Sequence, residues 1–386
     1  MSPPRRIALF FATSGHSGVD RLVRNLAPAM AARGYGVDIL RVRRHGPWLR
    51  EHPAGVREVD LGGSHAGTAF PGLVRYLRRE RPAVLMSGKD RINRTAYLAR
   101  FLSRVPLTQI FRFGTTASVA LPGRPLKERL MQRWSFRHLY SRVDRVLVPS
   151  AGVRRDLVDC FGVPEEKVHA VPTPVVSGDL FVSPRPRPDH PWFQPGEPPV
   201  IVGVGELSAR KDFQTLLRAF AHVRRRRECR LVLVGKGRQK DALESLANEL
   251  GVAADVSLVG FQSDPYAFIA HSNVLALTSR WEGLGFVLIE AMALGTPVVS
   301  TDCPSGPRET LGEGRYGPLV PVGDWEQLAE ALEQTLHNPL PPQTLQEAVR
   351  PFEIETATTR YLEEMGLDPY PESSSVYGSF PPDCPN

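Results

Sequence analysis

Residues Ser279 to Thr301, read S-R-W-E-G-L-G-F-V-L-I-E-A-M-A-L-G-T-P-V-V-S-T, leave a chain few ways to fold. Gly283 and Gly285 make a turn bare enough for a ligand to approach the backbone. Phe286, Val287, Ile289 and Met292 to Leu294 then supply buried helical positions, and Gly295 suits a C-terminal cap. Thr296-Pro297 leads into a strand at Val298 and Val299. The expected order is loop, helix, turn, strand.

The rest of the chain repeats that alternation. Strand Ile7 to Ala12 meets the small-residue loop T-S-G-H-S-G, then a helix with Leu22, Val23, Leu26, Met30 and Ala31 on one side, then strand Val37 to Leu40. Ser17 and Asp20 form a capping box at that helix start. Helical residues 71–79, strand 83–87, a polar loop G-K-D-R-I-N-R, a helix through 96–102 and strand 107–111 continue the pattern. A helix over Leu126 to Tyr140 leads into strand Arg145 to Pro149, and Ser150 caps the next helix. After a proline-crowded stretch, strand Val200 to Val204 is followed by a helix carrying Phe213, Leu216, Leu217 and Phe220, and by strand Leu231 to Val234. The expected fold class is α/β, with two Rossmann-like doubly wound domains. A length of 386 residues accommodates both. The expected boundaries are 1–178 for the first domain and 179–199 for a linker, with a last helix at 351–366. Residues 200–350 are expected to form the second domain, and 367–386 a disordered Pro- and Ser-rich tail.

Free N–H groups and the positive end of the dipole at a helix start suit phosphate or sugar oxygens near Gly283 to Val287. Glu282 and Glu290, eight apart, do not suit phosphate; an ionised carboxylate accepts from both hydroxyls of a diol. Phosphate with diols describes a nucleotide sugar. Taken alone, such a pair is more often a solvent-facing Glu282 and a Glu290 that caps a neighbouring helix.

The whole stretch resembles the signature of the family 4 retaining glycosyltransferases, of GT-B architecture, which implies two domains facing across a cleft: 1–178 on the acceptor side, completed by the returning helix at 351–366, and 200–350 binding the nucleotide sugar. The resemblance implies that Glu290 holds the ribose of a nucleoside-diphosphate sugar and Glu282 the hydroxyls of the transferred sugar. The amides of Gly283, Leu284, Gly285, Phe286, Val287 and Leu288 then meet sugar and diphosphate. It extends to V-G-x-L with Gly205 followed by Arg210-Lys211, which clasp the diphosphate, to Gly235, and to Gly260 and Phe261 near the nucleobase. In the family loop G-G-x-E-R, this chain has Ser17-Gly18-Val19-Asp20-Arg21, keeping Gly18 beside the donor phosphates. Thr173 stands where asparagine is usual, and D-C-P-S-G-P-R-E replaces the commoner pair of glycines before Glu309. Arg210, Lys211 and Glu282 are therefore the catalytic candidates. On the acceptor side His16, Lys89, Arg91, Asn93 and Arg112 are candidates from their loops, and the usual family histidine has no counterpart near Arg112 to Thr116.

The implied reaction moves a hexose or N-acetylhexosamine from a UDP-sugar to a saccharide or lipid-linked acceptor in surface polysaccharide or lipopolysaccharide assembly. Configuration is retained: the acceptor attacks on the face the diphosphate leaves, and the diphosphate oxygen takes the proton. No D-x-D pair and no His or Cys spacing for a metal is present, so neither metal nor cofactor is expected. A non-catalytic nucleotide-sugar-binding subunit and a nucleotide-sugar epimerase are the alternatives.

The balance of 48 basic and 41 acidic residues favours anionic partners, yet runs such as Arg224 to Arg227 and Arg78-Arg79 read as solvated helix faces, and no nucleic acid is expected. Four scattered cysteines, Cys160, Cys229, Cys303 and Cys384, read as reduced thiols of a cytoplasmic protein. Leu126, Leu130, Met131 and Trp134 lie among Lys127, Arg129, Arg133 and Arg137. This segment is expected to bury its apolar face in its own domain; the other reading is peripheral contact with the cytoplasmic membrane face.

Overall fold

The computed structural model describes residues 5–13, 17–43, 45–49, 51, 53–182 and 184–370. By internal contacts the chain divides into two compact units: Met1–Phe113 with Gln132–Leu147 and Ile354–Asn386, and Gly114–Met131 with Val148–Glu353.

The first unit is built on parallel strands β1 (Arg6–Phe10), β2 (Gly36–Arg41), β3 (Val56–Asp60), β4 (Val84–Gly88), β5 (Thr108–Arg112) and β6 (Arg145–Val148), in the order β3-β2-β1-β4-β5-β6. Helices Gly18–Ala32, Phe70–Glu80 and Asp90–Ser103 supply the crossovers. Strand β3, V-R-E-V-D, lies at the sheet edge and is half-polar, so no apolar run announces it. The residues expected as a polar loop after β4 are largely helical, because Asp90 opens the helix directly and pairs with Arg94 one turn on, at 2.6 Å. The capping box forms: Ser17 N donates to Asp20 at 2.7 Å. Under β5 and β6, Phe111, Phe113, Phe136 and Tyr140 pack edge to face, with centroids 4.9 to 5.1 Å apart between successive partners.

Helix Ile354–Glu364 returns to this unit, beginning three residues later than expected at 351. Arg33 donates to the carbonyl and carboxylate of Glu355 at 2.7 and 2.9 Å, and Arg112 donates to the Tyr361 hydroxyl at 3.1 Å. Residues 367–370, assigned to the disordered tail, are packed: Leu367 is buried and the Tyr35 hydroxyl donates to the Asp368 carbonyl at 2.6 Å. Residues 371–386 lie outside the described residues.

Strand β7 (Val168–Ala170) follows β6 at the end of the first sheet, making it seven-stranded, and the second unit carries a sheet of β8 (Val200–Val204), β9 (Arg230–Val234), β10 (Val256–Gly260), β11 (Val274–Leu277), β12 (Val298–Thr301) and β13 (Leu319–Val320). Its order is β10-β9-β8-β11-β12-β13, all parallel. Alternate residues serve two cores. Ile201, Leu231 and Leu233 face helix Phe213–Arg226, while Val200, Val202, Val232 and Leu275 face helix Phe286–Ala293.

Residues 114–131 and 148–178, expected in the N-terminal domain, group with this unit by internal contacts, and Thr116 and Ser150 bond to the main chain around Gly283. The proline-rich 179–199 is not a bare linker. Leu180 of helix Asp179–Val182 is buried, and Phe193 packs edge-on against Phe268 with centroids 5.6 Å apart.

The apolar residues of helix Leu126–Ser135 are not buried as expected: Leu126, Leu130, Met131 and Trp134 are exposed, and the burial falls instead on the π-turn residues Phe136, Leu139 and Tyr140. Among the described residues no helix is long and apolar enough to cross a membrane.

Asp38, fully buried in β2, anchors the polar side of the first unit. It accepts from Arg6 at 2.7 Å, from Arg57, and from the Tyr76 hydroxyl. Burial, with the hydrogen bond to Asp38 next, holds the Tyr76 hydroxyl well above its ordinary pKa, so it stays a donor. Asp38→Ala leaves these donors facing a void and is expected to destabilise the first unit by about 3–5 kcal/mol, measured by urea unfolding, against about 1 kcal/mol for Tyr76→Phe.

Candidate functional site

Between β8 and β11 the second sheet reverses the direction in which it adds strands, and at such a switch point the loops leaving the carboxyl ends of the strands diverge to leave a binding crevice. The loop after β8 carries Arg210 and Lys211; the loop after β11 carries Ser279 and Glu282. Topology thus brings together residues 72 positions apart.

The two loops are stitched by main-chain acceptors. Thr278 Oγ1 donates to the Lys211 carbonyl at 2.8 Å, and Arg280 N to the Arg210 carbonyl at 2.8 Å. Arg280 Nε also reaches Asp212 at 3.1 Å, holding that residue at φ 49 where it precedes helix Phe213–Arg226. On this frame the Glu282 carboxylate, 7% exposed, accepts from Lys211 Nζ at 2.7 Å, Ser279 Oγ at 2.7 Å and Arg210 Nη1 at 3.0 Å. Burial alone would raise the Glu282 pKa; Lys211 first, then Arg210, and the hydrogen bonds from Lys211 and Ser279 outweigh it and hold the carboxyl below its ordinary value. Glu282 is an anion at neutral pH.

Nearby Cys303 behaves oppositely. Burial, then the Glu282 charge, pushes its thiol up to about 12, so it stays protonated and is no nucleophile.

Gly283 to Gly285 form the bare turn. A Cβ at Gly283 would sit 2.1 Å from the Gly114 carbonyl oxygen, and Gly285 adopts φ 82 just before helix Phe286–Ala293. The turn is braced by groups the sequence reading did not single out. Thr116 Oγ1 donates to the Glu282 carbonyl and Ser150 Oγ to the Gly283 carbonyl, each at 2.9 Å. Glu309 accepts from the amides of Ala151 and Gly152 at 2.7 and 2.6 Å. A lone Thr or Ser gives no sequence signal for a bond made more than 130 positions away; only Glu309, in a loop already marked, was visible.

The side chains of Leu284, Val287 and Leu288 are buried, so what this stretch can offer a ligand is main chain. Glu290 lies one helical turn on, 2% exposed, and accepts from the Tyr266 hydroxyl at 3.3 Å. Gly205, Gly235 and Gly260 lie side by side at the ends of β8, β9 and β10. Gly205 N donates to the Val234 carbonyl at 2.9 Å and Gly235 N to the Gly260 carbonyl at 2.8 Å. A Cβ on Gly235 would fall 1.8 Å from the Gly205 oxygen. Phe261 is half exposed, with Lys236 Nζ 5.3 Å from its ring centroid.

The acceptor-side candidates divide. Lys89 and Arg91 are exposed at the start of helix Asp90–Ser103. Asn93 and Arg112 are corrected. Asn93 is fully buried between Ser87 and Tyr140, at 2.8 and 2.9 Å, and Arg112 is buried between Tyr361 and the Phe113 carbonyl. Both satisfy core polar groups of the first unit. Gly18 opens helix Gly18–Ala32 in that unit, and His16 lies outside the described residues.

Comparison with known proteins gives two family matches: "Glycosyl transferases group 1" over residues 187–351 and "Glycosyl transferase 4-like domain" over 17–174. Among relatives, the lipopolysaccharide core biosynthesis glycosyltransferase LpsE of Rhizobium meliloti is 28% identical over 361 residues, covering 91% of this chain and 96% of that protein. The Campylobacter jejuni N-acetylgalactosamine-N,N'-diacetylbacillosaminyl-diphospho-undecaprenol 4-alpha-N-acetylgalactosaminyltransferase is 31% identical over 210 residues, covering 54% and 55%. Of solved structures, the lipopolysaccharide outer core galactosyltransferase WaaB superposes with TM-score 0.70 at 19% identity, over 94% of this chain and 99% of that one. Anabaena Alr3699/HepE in complex with UDP-glucose gives 0.73 at 17%, over 93% and 99%. These likenesses show the GT-B fold.

Glu282→Gln would leave buried Lys211 without its counter-charge, at a cost on the order of 3 kcal/mol. Because the Glu282 pKa is lowered from 4.5, its contribution is complete above about pH 4.5 and is lost as pH falls through the folded value. The gap in melting temperature between wild type and Glu282→Gln is therefore expected to be full at pH 7 and to shrink on acidification, followed by calorimetry.

Proposed function

The chain belongs to the glycosyl transferases group 1 family and is a glycosyltransferase, and we propose that it moves a hexose or N-acetylhexosamine from a UDP-sugar to a saccharide or lipid-linked acceptor, with retention of configuration. The acceptor belongs to surface polysaccharide or lipopolysaccharide assembly. That reading is supported by relatives named for lipopolysaccharide core biosynthesis and for a diphospho-undecaprenol acceptor, and by a structural neighbour bound to UDP-glucose.

The observation that carries the donor assignment is the Arg210–Lys211–Glu282 cluster beside the glycine turn. In it two cations stand where a diphosphate needs neutralising, and the carboxylate they hold is one that hydroxyls can address. When the donor enters, its diphosphate takes over Arg210 and Lys211, and Glu282 turns to the sugar hydroxyls while the amides from Gly285 onward meet the phosphate oxygens. As the glycosidic bond to the diphosphate breaks, charge gathers on the leaving oxygen, and the same two cations stabilise it without reorganising. The acceptor oxygen bonds to the anomeric carbon on that face and passes its proton to the departing diphosphate. Glu290, buried at the floor of the site, accepts from the ribose diol. The donor binds and turns over without a metal.

Thermal stabilisation against UDP-, GDP-, ADP- and dTDP-sugars in EDTA tests the donor class, since a ligand that binds only the folded state raises the melting temperature by mass action. UDP-sugars are expected to give the shift; a shift with another base alone would reassign the nucleotide. Arg210→Ala is expected to slow donor turnover about 10²–10³-fold and Glu290→Gln to weaken donor binding about tenfold or more. Turnover in Arg210→Ala and Glu282→Ala equal to wild type would remove the site assignment.

A further inference from the structure

Helix Asp90–Ser103 of the first unit shows solvent an apolar stripe that the fold does not use. Leu98, Phe101 and Leu102 are 55%, 78% and 50% exposed, and their spacing puts them on one helical face. Arg78 of helix Phe70–Glu80 donates to the Leu102 carbonyl at 3.0 Å, tying that stripe to an open groove of about 660 Å³ walled by Phe70, Pro71, Val74 and three arginines.

Those arginines, Arg75, Arg78 and Arg79, are exposed, and Arg81 and Arg104 just beyond the two helices are exposed as well. The two helices hold six arginines and two carboxylates, and both carboxylates are already engaged: Glu80 by Arg57 and Arg79, Asp90 by Arg94. The surface is therefore apolar at its centre and cationic at its margin.

We propose that this face docks on an anionic lipid bilayer, with Leu98, Phe101 and Leu102 entering the interface and the arginines meeting lipid phosphates. The charge decides the occupant. A second copy docking through the same face would, by two-fold symmetry, set arginine against arginine with no carboxylate to spare. A bilayer of anionic headgroups supplies both the apolar medium and the counter-charge, and arginine reaches phosphate while its stem lies along the apolar surface. This proposal stands apart from the donor reading, which concerns the second unit.

The test is flotation of the full chain with phosphatidylcholine vesicles, with and without phosphatidylglycerol. Binding is expected only with the anionic lipid and is expected to fall as salt rises. Phe101→Asp with Leu98→Ser should weaken it more than about tenfold, and each of Arg75→Ser and Arg78→Ser about fivefold. The positions are exposed, so the melting temperature serves as the check on folding and should not move. A parallel variant, Leu130→Ser with Trp134→Ser, separates this face from the other exposed apolar helix. No binding to anionic vesicles, or binding lost only in that parallel variant, would overturn the proposal. So would a concentration-dependent dimer in light scattering that Phe101→Asp abolishes.

Discussion

A carboxylate taken almost wholly out of water remains charged only if cations come with it, and the second unit is arranged around that requirement at Glu282. Lys211 and Arg210 must be delivered to within about 3 Å, from a loop that leaves a different strand. The delivery depends on the reversal of strand order between β8 and β11, on Asp212 accepting a left-handed backbone, and on Thr278 and Arg280 closing the loop onto its neighbour. Removing any of these would leave a buried charge unmatched, a far larger penalty than a lost surface ion pair. Each charge of the cluster already has a partner, so on the proposed reading a donor enters by exchanging partners rather than by ordering a loop.

The glycines of the second unit illustrate how structural and chemical demands coincide. Gly205, Gly235 and Gly260 are required first by the sheet, since a side chain at Gly235 would overlap the neighbouring carbonyl oxygen. The same close packing leaves main-chain groups bare along the strand ends, which on the proposed reading is what the donor meets. Sequence alone sees only the residue type and cannot separate the two causes.

Much of the architecture was legible in the sequence because the signals are local. Apolar runs of strand length, capping residues such as Ser17 and Asp20, and the uninterrupted apolar helix after Gly285 each announce their element within a few residues. What escaped notice depends on distant partners. Strand β3 is polar because it is an edge, and Asn93 and Arg112 look like loop cations and amides until Tyr140 and Tyr361 arrive from elsewhere to bury them. The helix at Leu126 carried an amphipathic pattern that ordinarily means core, and there the pattern says nothing about which side of the helix is covered. Within the site, Arg210, Lys211, Glu282 and Glu290 were readable because each pair sits in its own local motif, Arg210-Lys211 after V-G-x-L and Glu282 with Glu290 around the glycine turn, whereas Ser279, Thr116 and Ser150 act through single hydrogen bonds that no motif encodes.

The return of the chain to the first unit carries a consequence for how the polypeptide is made. Arg33 is held by Glu355 across 322 positions, Tyr35 by Asp368 across 333, and Arg112 by Tyr361 across 249. A ribosome delivering the chain from its N-terminus releases the sheet of the first unit early but withholds the helix that closes it until almost the end. The second unit, drawn mostly from one uninterrupted stretch, has all of its strands in hand before that helix emerges. Order of synthesis and order of completion are therefore opposed: the segment made first finishes last. During that interval the face of the first unit meant for residues 354–365 stands uncovered, the point at which nascent chains of this protein are most exposed to mispairing and to capture by chaperones.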